Sequence, residues 1–141
     1  MVKIIETPRD GFQGLSNLIP TSKKVEYINL LLQCGFHTVE VGSFVSPKAI
    51  PQMADTAEVL DGIDLENSKS KIAVLTATKS GGEHVMTFPQ IDQIFFPFST
   101  SETFLKKNIN QTLDQSEIII DELQNLCIKN NKELVVYFSM G

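Results

Sequence analysis

The sequence predicts an α/β fold built from parallel β-α units. Short apolar runs alternate with amphipathic stretches along the whole chain, and this alternation favours right-handed crossover connections between neighbouring parallel strands. Most of the short runs are apolar at nearly every position, which is typical of strands that are covered on both faces. Their starts, near residues 3, 37, 71, 91 and 134, are too unevenly spaced for a solenoid repeat.

The first two predicted elements are a strand over residues 3–7 and a helix over residues 22–34. The strand ends at Pro-Arg-Asp-Gly, residues 8–11, a sequence typical of a turn. We expect the helix to face the core with residues spaced i, i+3, i+4 and i+7, namely Tyr27, Leu30, Leu31 and Cys34. The residues expected to bound this helix are Thr21 or Ser22 at its start and Gly35 at its end.

The second β-α unit begins with a predicted strand over residues 37–42. A loop with two prolines then leads into a helix over about residues 52–62. One side of this helix carries Met53, Thr56, Ala57 and Leu60, and Gly62 ends the pattern. The polar residues 61–70 that follow indicate a surface connection rather than a domain linker, because the alternation resumes immediately.

The third, fourth and fifth strands are predicted over residues 71–77, 91–98 and 134–139. Between the third and fourth strands, the pair Gly81-Gly82 allows at most a short helix. The class of fold is therefore α/β, with about five parallel strands in this chain.

Two capping-box spacings predict the starts of the last two helices. Ser99 is followed three residues later by Glu102, and Thr112 by Gln115, so helices should begin near residues 100 and 113. The second of these helices is long, and its predicted inner stripe is Ser116, Ile119, Ile120, Leu123 and Cys127.

The composition excludes several classes of partner. The 141-residue chain has a net charge of −5 and a sequence pI near 5.0, which argues against binding to nucleic acids or anionic membranes. No apolar stretch approaches the roughly 18 residues of a membrane span, and the start lacks the apolar segment of a signal peptide. Cys34 and Cys127 are too few for a disulfide framework and suit a reducing cytoplasm; on apolar helix faces, both are expected to pack in the core. We expect a cytoplasmic protein.

Polar side chains gather where the predicted strands end. Because the carboxyl ends of parallel strands meet on one rim, groups at those positions are expected to lie close together. The rim residues are Arg9, Asp10 and Gln13 after the first strand, Glu40 and Ser43 at the second, Thr76 and Thr78 at the third, Ser99 and Ser101 at the fourth, and Ser139 at the fifth. Arg9 is the only arginine beside 11 lysines. This set suits a divalent cation and an anionic or carbonyl-bearing substrate.

Each of these residues also has a purely structural interpretation. An Arg-Asp-Gly sequence after a strand is more often a solvated turn than a catalytic pair. Glu40 lies in an otherwise apolar strand, where a carboxylate is costly unless it is paired or bound to a metal. Weaker signals are the isolated His37 and His84, expected to be surface or capping residues; the Gly81-Gly82 pair, a weak phosphate-loop signal; and Lys106-Lys107, a solvated face that could also meet an anionic cofactor tail.

Three segments resemble one known family. ETPRDGFQ at the first strand, VEVGSFVSPKAIPQMAD at the second and SETFLKKNIN after the fourth are similar to 3-hydroxy-3-methylglutaryl-CoA lyases, which belong to the metal-dependent (β/α)₈ lyases and Claisen-type synthases. The Arg-Asp-Gly-x-Gln element is shared with the synthases, whereas SFVSPK followed by PQMAD is much more specific to the lyases. The third-strand region is the loosest match, because Ala77 and Thr78 stand where the family often has Pro and Asn.

The resemblance implies a divalent-metal-assisted cleavage of 3-hydroxy-3-methylglutaryl-CoA to acetoacetate and acetyl-CoA, a carbon–carbon lyase reaction of leucine degradation and ketone-body metabolism. Asp10 matches a metal ligand of the family, with Mg²⁺ or Mn²⁺ as the expected ion. Arg9 matches the arginine that polarises the thioester carbonyl and stabilises the enolate, and Glu40 matches the acid that holds this arrangement. The residues expected to contact the acyl-CoA substrate are Arg9, Gln13, Ser43 and Ser139.

The resemblance further implies that residues 1–141 form the amino-terminal part of a longer barrel. A (β/α)₈ barrel needs eight strands and about 250 residues, whereas five strands are predicted here. The family's other metal ligands, a His-x-His pair and an asparagine, belong to a later portion, as does its reactive cysteine. We expect this chain alone to be inactive and the complete chain to be a homo-oligomer.

Two alternatives remain open. A Claisen-type synthase would use related enolate chemistry to form a bond, and a non-catalytic half-barrel would bind a partner subunit or a ligand. The TPRDG and SFVSPK segments favour the lyase over the synthase. The sequence that follows Gly141 would separate the lyase from the half-barrel.

Overall fold

Five parallel strands form a single sheet in the computed structural model, which describes residues 2–139. In chain order, which is also their order across the sheet, the strands are β1 (Ile5–Glu6), β2 (Thr38–Ser43), β3 (Lys71–Leu75), β4 (Gln93–Phe98) and β5 (Glu133–Phe138). The helices are α1 (Pro8–Gln13), α2 (Thr21–Leu32), α3 (Thr56–Gly62), α4 (Lys79–Val85), α5 (Glu102–Asn108) and α6 (Leu113–Lys129), with a 3₁₀ turn at Pro51–Met53. The predicted α/β class and parallel units are confirmed.

The sheet curves as a half-barrel, with the helices on its outer side and a second, smaller apolar cluster on its inner side. The larger core fills the space between strands and helices, where residues such as Val39, Ile72 and Phe96 are fully buried. The inner cluster contains Ala73, Leu75 and Phe95, packed against partly buried Val45, Val135 and Tyr137. Since all strands run parallel, their carboxyl ends share the rim on which the sequence placed the polar residues.

Coverage on both faces holds for the central strands only. β2 and β4 are buried throughout, and β3 along all but its first residue. β5 is only half-buried, and Phe138 is 65% exposed, because β1 and β5 are the two edges of the sheet.

Within residues 2–139, no helix is both long and apolar enough to span a membrane.

The first element departs from the predicted strand and turn. β1 contains two residues rather than five, and residues 8–11 form the start of a short helix instead of a turn. Proline at the first helical position fixes a backbone angle that suits a helix and costs no hydrogen bond there. Pro8 and Arg9 are buried as a result, while Asp10 stays exposed.

Helix α2 buries a different face from the predicted one. Ile28 and Leu32 are buried, whereas Tyr27 is 46% and Leu30 57% exposed, Cys34 is exposed and Leu31 only partly buried. The helix is turned this way because Lys24 is itself buried and its ammonium lies 2.6 Å from a carboxylate oxygen of Asp55. The expectation that Cys34 packs in the core was wrong.

The termini of α2 and α5 correct two predicted caps. Pro20 precedes α2 without a side-chain cap, and Thr21 instead donates a hydrogen bond of 2.7 Å to Asp55. Ser101, not Ser99, caps α5 by accepting a hydrogen bond from the amide of Phe104. Gly35 has the left-handed backbone, with φ of 78°, that its place after α2 suggested.

The long helix α6 matches its prediction. Thr112 and Gln115 form the complete capping box at its start. Ser116, Leu123 and Cys127 are buried along it, and the predicted stripe residues Ile119 and Ile120 pack partly buried against the core.

The glycine pair in α4 allows close packing rather than phosphate binding. Gly81 donates its amide to the Thr78 hydroxyl at 3.1 Å, and Gly82 donates its amide to the Thr78 carbonyl at 3.0 Å. A Cβ on Gly82 would lie 2.2 Å from a methyl carbon of Leu123. Because both amides already donate to Thr78, neither is free to bind a phosphate, and the weak phosphate-loop signal does not correspond to a phosphate site.

The different environments of the two cysteines predict different reactivities. Burial raises the pKa of the Cys127 thiol to about 11, so little thiolate forms near neutral pH, while Cys34 is exposed. A thiol reagent should label one cysteine in the native chain and two in denaturant, as counted by intact mass. Cys34→Ser should remove native labelling, and rapid native labelling of that variant would contradict the packing of α6.

Candidate active site

A buried ion pair between Arg9 and Glu40 forms the centre of the rim. Nε of Arg9 donates to Oε1 of Glu40 at 3.0 Å, and Nη2 donates to Oε2 at 3.1 Å, so the guanidinium binds the carboxylate with two hydrogen bonds. Arg9 is 5% and Glu40 1% exposed. The structure therefore resolves the ambiguity of Glu40: its charge is paired inside the protein.

The remaining donors of Arg9 reach three more side chains. Nη1 donates to Oδ1 of Asp10 at 3.0 Å and to Oε1 of Gln13 at 3.1 Å. Nη2 donates to the hydroxyl of Tyr137 over a longer distance, 3.4 Å. With the two bonds to Glu40, all five N–H groups of the guanidinium have a partner. Arg9 thus joins α1, β2 and β5 at one point.

The end of β2 is shaped so that its polar residues reach this point. The pairing of β2 with β3 shifts register between Glu40 and Gly42, which is a bulge. A Cβ on Gly42 would lie 2.6 Å from Cγ2 of Thr56, so only glycine lets α3 approach this closely. The Thr56 hydroxyl contacts both the amide and the carbonyl of Ser43, at 3.2 and 3.1 Å, and fixes the end of the strand.

The low polarity around the ion pair shifts the pKa values of its members. Burial raises the pKa of Glu40, and the neighbouring Arg9 charge opposes that shift. Burial alone would lower the pKa of Arg9, but Glu40, Tyr137 and Asp10 together outweigh burial and raise it, so the guanidinium stays protonated. Burial and the charge of Glu40 raise the pKa of Tyr137, which keeps its hydroxyl protonated and able to donate at neutral pH.

A cavity of about 1250 Å³ opens over the ion pair. All six residues predicted to bind metal or substrate or to act in catalysis line it: Arg9, Asp10, Gln13, Glu40, Ser43 and Ser139. From the neighbouring loops and short helices it is also lined by Phe44, Ala77, Thr78, His84, Lys107, Asn108 and Asn110. Other candidate rim hydroxyls have structural partners: Thr76 donates to the carbonyl of Phe44, and Ser99 accepts a hydrogen bond from the amide of Ser101.

Ser43 has an unused hydroxyl in this cavity. Its Oγ is the one buried side-chain polar atom without a hydrogen-bond partner in the part of the chain that the structure describes. The residue is 2% exposed. An orphaned buried hydroxyl costs free energy, and a ligand in the cavity would satisfy it.

Tyr137 is a site residue that the sequence reading missed. It lies on β5 two positions before Ser139, and alternate residues of a strand share a face. Its hydroxyl contacts Arg9, and its ring packs edge-on against Phe95 with centroids 6.2 Å apart. The period-two spacing from Ser139 was the signal that could have identified it.

Asp10 is the only candidate rim carboxylate still able to bind a cation. Both oxygens of Glu40 accept hydrogen bonds from Arg9, whereas the Asp10 side chain is 71% exposed and borders the cavity. A lone carboxylate fits one position around a hard divalent ion. Among residues 2–139, no group of three His, Cys, Asp or Glu side chains could complete such a site.

Comparisons with known proteins match the whole chain to one family. The HMGL-like family model matches residues 1–140. The mitochondrial hydroxymethylglutaryl-CoA lyase of Bos taurus is 42% identical over 123 residues, covering 86% of this chain and 37% of that protein. The HMG-CoA lyase structure of Bacillus subtilis gives a TM-score of 0.90 at 35% identity, covering 97% of this chain and 46% of that one. An HMG-CoA lyase of Acinetobacter baumannii, solved with coenzyme A and 3-methylmalate, gives 0.87 at 30% identity, covering 96% and 45%. The chain spans less than half the length of each.

The energetics of the ion pair can be measured with a double-mutant cycle. Glu40→Leu leaves the buried guanidinium with only the exposed Asp10 as a charged partner and should lower the free energy of unfolding by about 3–5 kcal/mol, and Arg9→Met should have a cost of the same order. The double variant should recover most of that loss because no buried charge remains. Urea unfolding of the four proteins gives the coupling energy.

The exposed pair of Lys23 and Glu26, 66% and 61% exposed, provides the matched control. The same cycle there should show a coupling below about 1 kcal/mol. Strictly additive losses at Arg9 and Glu40 would contradict the buried pairing.

Proposed function

Because the chain belongs to the HMGL-like family, we propose that it forms the amino-terminal part of a carbon–carbon lyase that cleaves 3-hydroxy-3-methylglutaryl-CoA to acetoacetate and acetyl-CoA. The observation that carries this proposal is the fixed guanidinium of Arg9, held by Glu40 at the edge of a large cavity. Cleavage of the carbon–carbon bond of the substrate leaves an enolate. The immobile positive charge of the Arg9 guanidinium beside the cavity can stabilise the negative charge that develops.

The proposal includes the barrel to which this half belongs. Five strands in sequential order leave β1 and β5 as open edges, and an eight-stranded barrel needs three more β-α units between them. The relatives are more than twice as long as the matched region, which leaves room for such units. Residues 1–141 then supply the arginine, one carboxylate ligand and part of the substrate cavity.

Arg9 has one donor that a substrate oxygen can take over most easily. Its bond to Tyr137 is the longest of the five, at 3.4 Å. A thioester oxygen placed there would accept a hydrogen bond from Nη2 of Arg9, and the protonated hydroxyl of Tyr137 can donate to the same oxygen. Such aimed donors are typically worth about 3–4 kcal/mol each in the transition state.

Asp10 would hold the divalent cation, Mg²⁺ or Mn²⁺, as one of several ligands. When bound, the ion would lower the pKa of the substrate hydroxyl. The hydrogen bond from Nη1 of Arg9 to Oδ1 of Asp10 holds the Asp10 carboxylate at the rim of the cavity, where it could bind the ion.

Three neutral side chains are proposed as substrate contacts. Ser43 offers its unpartnered hydroxyl, while Gln13 and Ser139 border the same cavity from α1 and the end of β5. The cavity exceeds the usual range of roughly 300–1,000 Å³ for small-molecule sites, so it has room for an extended acyl-CoA.

Both cysteines are free, which supports the proposed cytoplasmic location.

Arg9→Lys tests the enolate role. Lysine retains the charge but loses the planar fork, so turnover of 3-hydroxy-3-methylglutaryl-CoA by the full-length protein should fall by about 100-fold or more, while the protein still folds because a positive charge still faces Glu40. The measurement is acetyl-CoA release under saturating substrate. Lys23→Arg, on the exposed side of α2, should keep full turnover, and near-normal turnover in Arg9→Lys would refute the proposed role.

Ser43→Ala tests the substrate contact separately from stability. Since Oγ of Ser43 has no partner to lose, the variant should be as stable as the unaltered protein. One lost hydrogen bond to substrate should raise KM by about 3- to 10-fold. Thr56→Val, which removes bonds to the Ser43 backbone, should instead lower stability. A destabilised Ser43→Ala with unchanged KM would identify Ser43 as a structural residue.

A further inference from the structure

Gln111 connects two loops that border the cavity without lining it itself. Its side chain donates from Nε2 to the carbonyl of Ala77 at 2.6 Å and accepts at Oε1 from the hydroxyl of Ser116 at 2.9 Å. Gln111 is only 7% exposed, and Ser116 is fully buried. One amide side chain therefore joins the end of the β3 loop, the α5–α6 loop and the first turn of α6.

The end of α5 and the α5–α6 loop carry residues that form one wall of the cavity. Lys107, Asn108 and Asn110 all line it from this side, and Ala77 lines it from the β3 loop. Asn110 has a left-handed backbone, with φ of 55°, which costs free energy in a non-glycine residue and persists only where the surroundings hold it. Gln111 follows directly and is the nearest residue with buried side-chain anchors.

The backbone hydrogen bonds of the α5–α6 loop tie it to α5 and not to the β3 loop: the amides of Ile109 and Gln111 donate to the carbonyl of Leu105, at 2.9 and 3.5 Å. The two side-chain bonds of Gln111 are short and buried and reach other elements. Buried hydrogen bonds are costly to break, because the partners are left without water. Among the described residues, the Gln111 side chain supplies the hydrogen bond that links the two loops.

We propose that Gln111 is a positioning residue that sets the width of the cavity between the β3 loop and the α5–α6 loop, and through it the affinity for acyl-CoA. The inference rests on the proposed function for the identity of the ligand, but the tie itself concerns only contacts within the chain. Gln111 acts through Asn108 and Asn110, which border the cavity, and does not touch the ligand.

Gln111→Met tests the tie, since methionine has a similar length and cannot make either hydrogen bond. Hydrogen–deuterium exchange should rise across residues 106–111 and 77–79 and stay unchanged in β2 and β4. Gln115→Ala is the matched control, because it removes a side-chain bond to the amide of Thr112 at the exposed start of the same helix. It should affect only the first turn of α6. If Gln111→Met fails to fold, Ser116→Ala, which removes one of the two bonds, should show the same pattern with a smaller amplitude.

Binding of coenzyme A, measured by titration calorimetry on the same proteins, tests the consequence. The dissociation constant should rise about tenfold in Gln111→Met and remain unchanged in Gln115→Ala. Unchanged exchange at residues 106–111 would overturn the tie whatever the ligand. Raised exchange with unchanged affinity would show a purely structural role. With the full-length proteins, absence of coenzyme A binding by the unaltered protein would count against the proposed function and the affinity claim together, while the exchange data would still decide the tie.

Discussion

The buried ion pair of Arg9 and Glu40 is the constraint on which the rest of the site depends. Two charges removed from water are tolerated only where the pairing geometry is good and their other hydrogen-bonding groups are satisfied. Both conditions are met because α1 begins at Pro8 directly after β1, which carries Arg9 over the sheet, and because the bulge in β2 leaves Glu40 beneath it. Gly42 is required at that bulge because α3 packs against it. Local backbone choices in two β-α units therefore converge on one salt bridge.

The same parallel topology explains why the cavity is large and why the edge strand β5 is exposed. Sequential strand order collects the carboxyl ends on one rim, yet it leaves β5 half-buried and Phe138 exposed. An apolar sheet edge of this kind is a surface that other strands pair with. The open cavity and the open edge are thus two results of one arrangement, the sequential order of parallel strands.

Much of the fold was predictable because its signals were strong and local. Apolar runs located β2 to β5 to within two residues at each end, and the Thr112–Gln115 capping box with a long apolar stripe located α6. The face of α2 was not predictable, because burying Lys24 requires Asp55 from a distant part of the chain, and periodicity cannot detect such a partner. The rim residues were predictable as a group from strand ends. The pairing of Glu40 with Arg9 rather than with a metal was not, since both interpretations explain a carboxylate in an apolar strand.

The saturation of Arg9 constrains how any ligand can use it. All five of its N–H groups have partners within the chain, so a substrate oxygen can bind only by exchanging one bond for another. Exchange with Glu40 would leave a buried carboxylate unpaired, and exchange with Asp10 would release the one carboxylate suited to a cation. Tyr137 is different, because its contact is the longest and its hydroxyl can turn to donate to the incoming oxygen. Under the proposed function, the guanidinium would therefore gain a partner where negative charge develops while its bonds to Glu40, Asp10 and Gln13 stay intact, and this is the condition for stabilising an enolate without reorganising the site.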